Sequence, residues 1–454
     1  MGRERMSITM LSILLFVAFL ILYEFDVISN SKKIPDIGDL EEKRQMPKDP
    51  ITSLPWQISR AGIITCDPSR YEYDICSING PNVLSPNIST FFAMDPTNSI
   101  QSTPSIEKIK PQPRKTLPHI MSKVNELTLI SGGPKGPKCE VQHNFPALVF
   151  STGEFTGNFW HDMADGLIPL FFTAKSFFHD QDFVMVIDQS YDYWINKYRD
   201  LLHGLSKQRI IRMDQETRTH CFPRAIVGLI RHGYMTINPN WLPNPMTLHH
   251  FHDFLVKTYG HGGRNQHTVS HQPRARRRPR AVFIRRHHGR VLYNYAEVKR
   301  AMEETGFEVI EFEPTMETSM HESYAIFSSC HALIGVHGAG LTHLLFLRPG
   351  TLLLQIVLIG QDNPAKNCYK TPALEIGLEY IKYKISIYES SYMEKYGKDS
   401  VVFKNPKSFL KGDSIKEYYD LYIKNQDVTL NLTRFRPYLE ETYEKAKDLM
   451  DRLP

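Results

Sequence analysis

The sequence has no marked excess of one charge, no closely paired cysteines and no internal repeat. Its 54 Lys and Arg residues stand against 49 Asp and Glu residues, and a net charge of +5 over 454 residues does not indicate general nucleic-acid binding. Basic residues cluster in the segment 274–280, where a solvated linker explains them better than a binding surface. Without a C-x-x-C pair, the cysteines do not indicate a zinc or dithiol redox site.

One strongly apolar run near the N-terminus predicts a membrane anchor. The run, Ile8–Tyr23, carries no charge, follows Arg3 and Arg5, and precedes acidic residues. Because positive flanks stay in the cytosol, we expect a cytosolic tail over 1–7, a signal anchor over 8–23 and a lumenal remainder. No small-x-small site follows the run, so a cleaved signal peptide is the less favoured alternative. The short span suits thin early-secretory membranes and predicts a single-pass type II protein of the Golgi membrane.

Two further features agree with a lumenal location. Asn87 and Asn431 each begin an Asn-x-Ser/Thr sequon and are predicted glycosylation sites. Six cysteines are an even number, which favours structural disulfides in an oxidising compartment, with buried free thiols as the alternative. Cys66 and Cys76 are close enough to close one small loop, and the remaining connectivity is not fixed by the sequence.

The length of the chain suits two domains with appendages. Residues 24–118 are polar in part and rich in proline in part, and we expect a stem followed by an extended lumenal segment. Alternating strand and helix patterns then predict an N-terminal α/β domain over 119–263. A Gly-rich and Arg-rich linker over 264–280 leads to a C-terminal α/β domain with terminal helices over 281–454.

The C-terminal domain contains a strand, turn, helix and strand typical of nucleotide-binding folds. Ala332–Val336 and Leu352–Val357 are buried strands of a parallel sheet, and Leu341–Phe346 is a helix. Between them, the turn consists of His337, Gly338, Ala339 and Gly340. Without side chains at its glycines, backbone amides at the helix start can approach a diphosphate. Thr342 and His343 add donors or simply pack, and a Gly-x-Gly turn equally describes close packing of a helix on a sheet.

A histidine and a carboxylate lie one helical turn apart in the N-terminal domain. His161 and Asp165 share a face of the helix predicted over Asn158–Phe178. The pairing would raise the basicity of the imidazole and fix its tautomer, as a general base acting on a sugar hydroxyl requires. The alternative is a surface pair that only packs. We expect the base to reach the glycine turn when a cleft between the domains closes.

Arginines follow the first strand of the C-terminal domain. Arg286 and Arg290 come after strand Ala281–Arg285, at the edge where open α/β sheets bind ligands, and Asn294 lies four residues on. Guanidinium groups suit diphosphate oxygens, with a solvated loop as the alternative. No metal-binding Asp-x-Asp triplet ends a strand, since Asp180-Gln181-Asp182 precedes one. We therefore expect arginines and a helix dipole, without a metal or other cofactor, to stabilise the leaving group.

Three ordered motifs together resemble glycosyltransferase family 61: GNFWHDMADGLIPL, FIRRHHGRVLYN and HALIGVHGAGLTHLLFLRPGTLLLQIV. The resemblance covers about Pro146–Leu378. It implies an α/β fold of GT-B-like type, with two facing Rossmann-type domains, and inverting transfer from a UDP-sugar. It carries functional roles onto the catalytic candidates His161 and Asp165 and onto the donor-binding candidates Arg286, Arg290, Asn294, Gly338, Ala339, Gly340 and Thr342. Arg285 departs from the small residue usual in the family.

Plant members of this family include Golgi xylan arabinosyltransferases and xylosyltransferases, and animal members transfer N-acetylglucosamine. The expected function is therefore transfer of arabinofuranose or xylose from a UDP-sugar donor to a xylan-type polysaccharide in cell-wall synthesis. Transfer of N-acetylglucosamine to protein or glycan, and a non-catalytic lumenal polysaccharide-binding or scaffold protein, are the alternatives. The sequence leaves open the donated sugar, the linkage, homo- or hetero-oligomer formation, and whether His161 or Asp165 is the base.

Overall fold

The computed structural model describes residues 64–94, 104–132, 136–260, 278–410 and 415–452. The predicted cytosolic tail, the anchor, the first part of the stem and most of the linker lie outside the described residues. Among the residues that are described, no helix is both long and apolar enough to cross a bilayer.

The strands of the described residues form two mixed sheets of six strands and one parallel sheet of five. In chain order they are β1 (Ile64–Asp67), β2 (Ile75–Ile78), β3 (Asn82–Ser85), β4 (Thr90–Ala93), β5 (Ser105–Ile109), β6 (Leu127–Ser131), β7 (Val141–Gln142), β8 (Ala147–Phe150), β9 (Val184–Ile187), β10 (Ile211–Arg212), β11 (His220–Phe222), β12 (Ala225–Val227), β13 (Arg280–Ile284), β14 (Glu308–Phe312), β15 (Ala332–Val336), β16 (Leu352–Val357) and β17 (Glu379–Lys384).

Helical segments cover the sheets and connect their strands. The α-helices are Pro118–Met121, Phe159–His161, Ile168–Phe178, Asp192–Lys197, Arg199–Leu205, Leu248–Tyr259, Tyr295–Thr305, Met320–Ser328, Asp362–Ala365, Thr371–Glu375, Tyr392–Tyr396, Val401–Lys404, Ile415–Tyr418 and Leu432–Arg452. The 3-10 helices are Pro86–Ile88, Pro239–Trp241, Ala339–Phe346, Ile387–Glu389 and Pro406–Leu410. The π-helices are Asp162–Leu167, Lys366–Lys370 and Tyr419–Lys424.

The N-terminal half begins earlier than the sequence predicted. The first sheet has the order β1-β2-β12-β8-β9-β10, and the second has the order β5-β6-β4-β3-β11-β7. Strands β1 to β5 therefore belong to the folded body, and the assignment of all of 24–118 to a stem and extended segment is wrong for the strands within it. These strands have four or five residues each and lie between turns, so they show little periodicity. Their partners β11 and β12 come much later in the chain.

Disulfides hold both N-terminal sheets. Cys66 and Cys76 are joined across the β1-β2 hairpin, as predicted, and Cys139 is joined to Cys221 on β11. Cys330 and Cys368 form no disulfide, so the alternative of reduced cysteines applies to this pair.

The C-terminal half is a doubly covered parallel sheet with the order β14-β13-β15-β16-β17. Its central strands β15 and β16 are buried along their whole length, which is why they appear in the sequence as continuous apolar runs. The first strand, β13, lies between β14 and β15. The chain therefore passes from β13 to β14 on one side and then crosses back to β15 on the other side. The carboxyl ends of β13 and β15 thus form a topological switch point, where open α/β sheets bind their ligands.

One hydrophobic core runs through both halves. Phe251 and Leu255 of the Leu248–Tyr259 helix share a cluster with Leu345 of the C-terminal half. On the same helix, His252 Nε2 lies 2.9 Å from the carbonyl oxygen of Leu347. The α/β class is confirmed, although the N-terminal half is built on two sheets where one Rossmann sheet was expected. The halves are already in contact, with no open cleft at this point.

Candidate active site

The predicted helix over Asn158–Phe178 is present from Phe159, and it widens where the candidate base lies. Pro169 has no N–H to donate to the carbonyl of Asp165, and a π-helix, Asp162–Leu167, occupies this stretch. His161 precedes the π-helix and Asp165 lies within it. The two side chains meet as predicted, with His161 Nδ1 2.7 Å from Asp165 Oδ2.

Asp165 is buried and has two arginine partners as well as the histidine. Arg114 Nη2 lies 2.8 Å from Asp165 Oδ2, and Arg231 Nε lies 3.2 Å from Oδ1. Burial alone would raise the pKa of the Asp165 carboxyl, but the two guanidinium charges and the hydrogen bond from His161 hold it below its usual range. Arg231 also pairs with Glu72. Asp165 is therefore a permanent carboxylate that accepts from several donors.

These arginines change what the carboxylate does for His161. Burial lowers the pKa of His161, and the charges of Arg114 and Arg231 lower it further, whereas Asp165 raises it. The net shift of the pKa is downward, so the expectation of raised basicity is wrong: burial, the largest cause, and the two arginine charges together outweigh the carboxylate. Asp165 still accepts from Nδ1–H, which orients the ring and leaves Nε2 as the basic atom. Phe155 stacks on the imidazole, with ring centroids 4.2 Å apart.

Sequence reasoning missed Arg114 and Arg231. Arg114 comes from a proline-rich stretch interpreted as a surface connection, yet it is buried and lies over the rings of Trp160 and Tyr234. An Arg between prolines carries no local signal for a buried ion pair. Asp162 was also missed: it accepts from the backbone N–H of Gly157 and from the Tyr198 hydroxyl, and burial raises its pKa to about 6. It shapes the loop before the helix.

The second cluster lies at the switch point of the C-terminal sheet. Arg286 and Arg290 follow β13, and Gly338 follows β15. A Cβ on Gly338 would lie 2.4 Å from Arg286 Nη1 and 3.5 Å from Arg290 Nη2, so any side chain there would displace the guanidinium group of Arg286. The structure thus brings together three of the predicted donor-binding residues.

Arg290 is held in an unusual environment for a cation. Burial lowers its pKa to about 10, and the neighbouring charge of Arg286 contributes. Its Nε is buried without a hydrogen-bond partner, and its backbone has a φ of 59°, a left-handed conformation that is rare outside glycine. Arg286 is better satisfied, because it donates to the carbonyl oxygens of Gly289 and His288 at 3.1 and 3.3 Å. Two adjacent, half-buried cations with unused donors form a site for an anion.

Two more predicted residues lie beside the arginines. His337 is buried, and its ring is T-shaped against Tyr369 with centroids 5.1 Å apart. Burial, together with the charges of Arg290 and Arg286, holds the pKa of His337 well below its usual range. Thr342 is fully buried within electrostatic range of the Tyr369 hydroxyl.

Other predicted residues have structural contacts. Both ends of the Asn294 amide are bonded to the backbone of Leu430, at 2.8 and 2.9 Å, so this amide fastens the loop after β13 to the C-terminal segment. A Cβ on Gly340 would lie 2.9 Å from Ile284 Cγ2, which is the close-packing alternative. His343 packs against Phe327 and Phe159, and burial lowers its pKa to about 3.

A cavity of about 470 Å³ lies where the two halves meet. Its walls come from the loop before the Phe159 helix, from Lys197 and from the carboxyl ends of β13, β14 and β15: Gly157, Asn158, Phe159, Lys197, Arg286, Pro314, Thr315, Met316, Thr318, Met320, Ser323, Ala339, Gly340 and His343. Lys197 Nζ donates to the carbonyl oxygens of Thr315 and Met316 at 3.4 and 3.2 Å and so connects the halves across the cavity.

Tyr419, which the sequence did not single out, lies near residues of both clusters. Arg114 and Cys368 are each close enough to its hydroxyl to influence its pKa. Tyr369, next to Cys368 in the chain, is in turn within range of Arg286 and Arg290. Burial raises the pKa of Tyr419 to about 12, although 43% of the residue is accessible, as expected for a side chain that faces a crevice. The loop before the Phe159 helix and Arg286 also line one cavity, so the segment that leads into His161 lies near the arginine cluster.

Within the described parts of the chain, no group of three or more His, Cys, Asp and Glu side chains is placed to hold a metal ion. The expectation of a metal-independent reaction stays a prediction.

Comparison with known proteins assigns the chain to a family. The family model Glycosyltransferase 61 matches residues 159–354, a range that holds His161, Arg286 and Gly338. A xylan glycosyltransferase of Arabidopsis thaliana, MUCI21, is 35% identical over 399 residues, which cover 84% of this chain and 80% of that protein. The chain belongs to glycosyltransferase family 61. It is therefore a glycosyltransferase, as the resemblance of the three motifs predicted.

Two further relatives are from Oryza sativa subsp. japonica. The alpha-1,3-arabinosyltransferase XAT3 is 34% identical over 84% of this chain, which spans only 65% of that protein. The beta-1,2-xylosyltransferase XYXT1 is 29% identical, with 83% of each chain covered. These two rice relatives differ in the sugar that they transfer.

Proposed function

We propose that this glycosyltransferase transfers a pentose, arabinofuranose or xylose, from a UDP-sugar to a xylan-type polysaccharide. The activities for which the relatives from Arabidopsis and rice are named support the pentose and the xylan. The observation that carries the proposal in this chain is the pair Arg286 and Arg290, half-buried against Gly338 at the switch point of the C-terminal sheet. Such a pair suits the diphosphate of a nucleotide sugar.

In the proposed reaction the diphosphate lies against these arginines, and the acceptor hydroxyl approaches from the side of His161. As the new C–O bond forms at the anomeric carbon, the bond from that carbon to the diphosphate oxygen breaks. The hydroxyl proton passes to Nε2 of His161, whose Nδ1–H stays bonded to Asp165. UDP leaves with the electron pair, and its charge is stabilised by Arg286 and Arg290.

The two α/β halves are proposed to form a GT-B-like pair, with the acceptor on the N-terminal half and the donor on the C-terminal half. Attack from the face opposite the diphosphate would invert the anomeric configuration. We also propose that the chain is a type II Golgi membrane glycoprotein, on the basis of the apolar run 8–23, its arginine flank and the two sequons.

The test is a donor and acceptor matrix with the purified full-length chain. UDP-arabinofuranose, UDP-xylose and UDP-N-acetylglucosamine are each offered with xylo-oligosaccharides, and products are analysed by mass spectrometry and by the anomeric coupling in NMR spectra. Transfer of one pentose with inversion is the expected result. Turnover of UDP-N-acetylglucosamine alone would replace the pentose assignment. Binding of xylo-oligosaccharide without turnover of any donor would show a scaffold protein.

A further inference from the structure

Gln355 is a polar residue in the middle of an apolar strand. Strand β16 reads Leu-Leu-Leu-Gln-Ile-Val, and all six residues are buried. Gln355 itself has no accessible surface. A buried amide is costly unless its donors and acceptors are satisfied, so the two partners of Gln355 indicate why it is present.

Gln355 links a tyrosine to a histidine of the active site. The Tyr380 hydroxyl donates to Gln355 Oε1 at 2.9 Å. On the other side, Gln355 Nε2 lies 2.8 Å from Nδ1 of His337. An amide nitrogen only donates, so Nδ1 of His337 accepts and carries no proton. In a neutral ring the proton is then on Nε2.

The three residues lie on adjacent strands, which fixes the direction of the relay. Tyr380 is on β17, Gln355 is on β16, and His337 follows β15, and these strands are paired in parallel. The relay therefore runs across the sheet to the switch point where Arg286 and Arg290 lie. Nδ1 is held from the side of the sheet, which leaves the Nε2–H for a ligand.

We infer that Gln355 and Tyr380 are positioning residues that hold His337 as the neutral Nε2–H tautomer, so that His337 donates a hydrogen bond to the diphosphate without adding a third positive charge. The inference rests on the proposed UDP-sugar donor. It deepens that proposal by naming Gln355 and Tyr380, to which sequence reasoning assigned no role.

The choice of Gln over Glu at position 355 has a physical reason. A carboxylate there would accept from Nδ1–H and would favour the imidazolium form of His337. That cation would stand beside Arg286 and Arg290 before the anion arrives. The amide avoids this charge while keeping the ring in place.

The first measurement is the tautomer of His337 in the full chain labelled with ¹⁵N-histidine. Long-range ¹H–¹⁵N spectra distinguish the two neutral tautomers, and the His337 signals are identified by their absence in His337→Gln. We expect an unprotonated Nδ1 and a protonated Nε2 in the wild type. A wild type with the proton on Nδ1 would overturn the inference, and this result does not depend on whether any donor is turned over.

The second measurement compares variants of the relay. In Gln355→Glu we expect both nitrogens of His337 to be protonated, because the carboxylate accepts from Nδ1–H and favours the imidazolium form. Tyr380→Phe, which keeps the ring, should give a mixture of neutral tautomers and raise the KM for the UDP-sugar, by less than the roughly 10- to 100-fold expected for complete loss of a hydrogen bond to a charged group. Should Gln355→Glu fail to fold, Tyr380→Phe alone decides, and an unchanged tautomer in it overturns the inference.

The matched control is Gln426, which is equally buried and bonded to the backbone of Ile359. Gln426→Glu should lower the melting temperature while leaving the His337 spectrum and the donor KM unchanged. A merely structural role of Gln355 would give the same outcome as this control. If no UDP-sugar is turned over by the wild type, the proposed function fails, while the tautomer result still stands by itself.

Discussion

Arg114 and Asp165 form a buried ion pair, with Nη2 of the arginine 2.8 Å from Oδ2 of the aspartate. The same nitrogen lies 3.1 Å from Nδ1 of His161. The candidate base is therefore next to a cation as well as a carboxylate. Because the carboxylate is shared, its effect on the histidine is to orient the ring more than to make it basic.

The pH dependence of turnover should report this arrangement. The pKa of His161 is lowered from its ordinary value of 6.5, so the imidazole is mostly neutral at pH 6.5. The acid limb of kcat should therefore lie below that pH. Arg114→Met removes a positive charge, raises the pKa of His161 and should move the limb to higher pH. Asp165→Asn removes a negative charge and should move it to lower pH, whereas Arg114→Lys should leave it nearly in place. Shifts in the same direction for Arg114→Met and Asp165→Asn would contradict the assignment.

Removing the imidazole should affect chemistry more than donor binding. His161→Ala should lower kcat by roughly 10² to 10⁴ and leave UDP affinity nearly unchanged, since the arginine cluster lies in the other half. Calorimetric titration with UDP and steady-state kinetics separate the two quantities. His203, an exposed residue on the Arg199–Leu205 helix, supplies the control variant His203→Ala. Full turnover in His161→Ala would place His161 among the packing residues.

The two arginines should carry the stabilisation of the leaving group. Arg290→Ala should cost on the order of 2 to 4 kcal/mol of transition-state stabilisation, as for other preorganised charge contacts. Arg285, a neighbour that lies over the ring of Tyr295 and is exposed, is the matched control, and Arg285→Ala should be nearly neutral. Activity should also largely survive EDTA. Loss of activity in EDTA and its recovery on addition of Mn²⁺ would show that a metal ion, and not the arginine pair, stabilises the leaving group.

Two glycines of one turn should respond differently to a methyl group. Gly338→Ala would displace the guanidinium of Arg286 and should weaken UDP binding with little change in melting temperature. Gly340→Ala would press on Ile284 and should cost about 1 to 3 kcal/mol of stability, as overpacking does. Thermal melts and UDP titrations of both variants check this contrast. If Gly338→Ala and Gly340→Ala lost equal stability, the role of Gly338 would be packing, as it is for Gly340.

Both sequons should carry glycans if the chain is lumenal. Asn87 and Asn431 are exposed, and Asn431 stands at the start of the terminal helix, where a glycan would project into solvent. Endoglycosidase treatment should increase the electrophoretic mobility of the full chain. The variants Asn87→Gln and Asn431→Gln should each remove one step of that shift. No shift, together with a protease-accessible C-terminus in intact vesicles, would exclude the type II topology.

The sequence predicted the C-terminal half well because its strands obey a local rule. A strand buried on both faces is apolar throughout, so β15 and β16 could be delimited residue by residue. The rule that the carboxyl ends of such strands bind ligands led to Arg286 and Gly338, and the structure places these two residues side by side at that edge. Pairing of His161 with Asp165 followed from helical spacing.

What the sequence could not supply were contacts between distant segments. Arg114 lies 47 positions before His161, and Asn294 lies 136 positions before its partner Leu430. Neither pairing has a periodic signature. The short strands β2 and β3 share this problem, because their partners β12 and β11 come much later in the chain. The error over His161 basicity has a related origin, since the pKa is lowered by burial in the folded protein and by two arginines outside the motif.

The helix Leu248–Tyr259 shows that the structural boundary between the two halves differs from the boundary predicted from the sequence. It precedes the basic linker and so belongs to the N-terminal half by order, yet it packs on the C-terminal half through the shared core and through His252. Domain boundaries fall where few contacts cross. A cut directly after residue 260 would break the contacts that this helix makes with the C-terminal half. Chimeras that exchange donor halves between family members should therefore carry this helix together with the donor half.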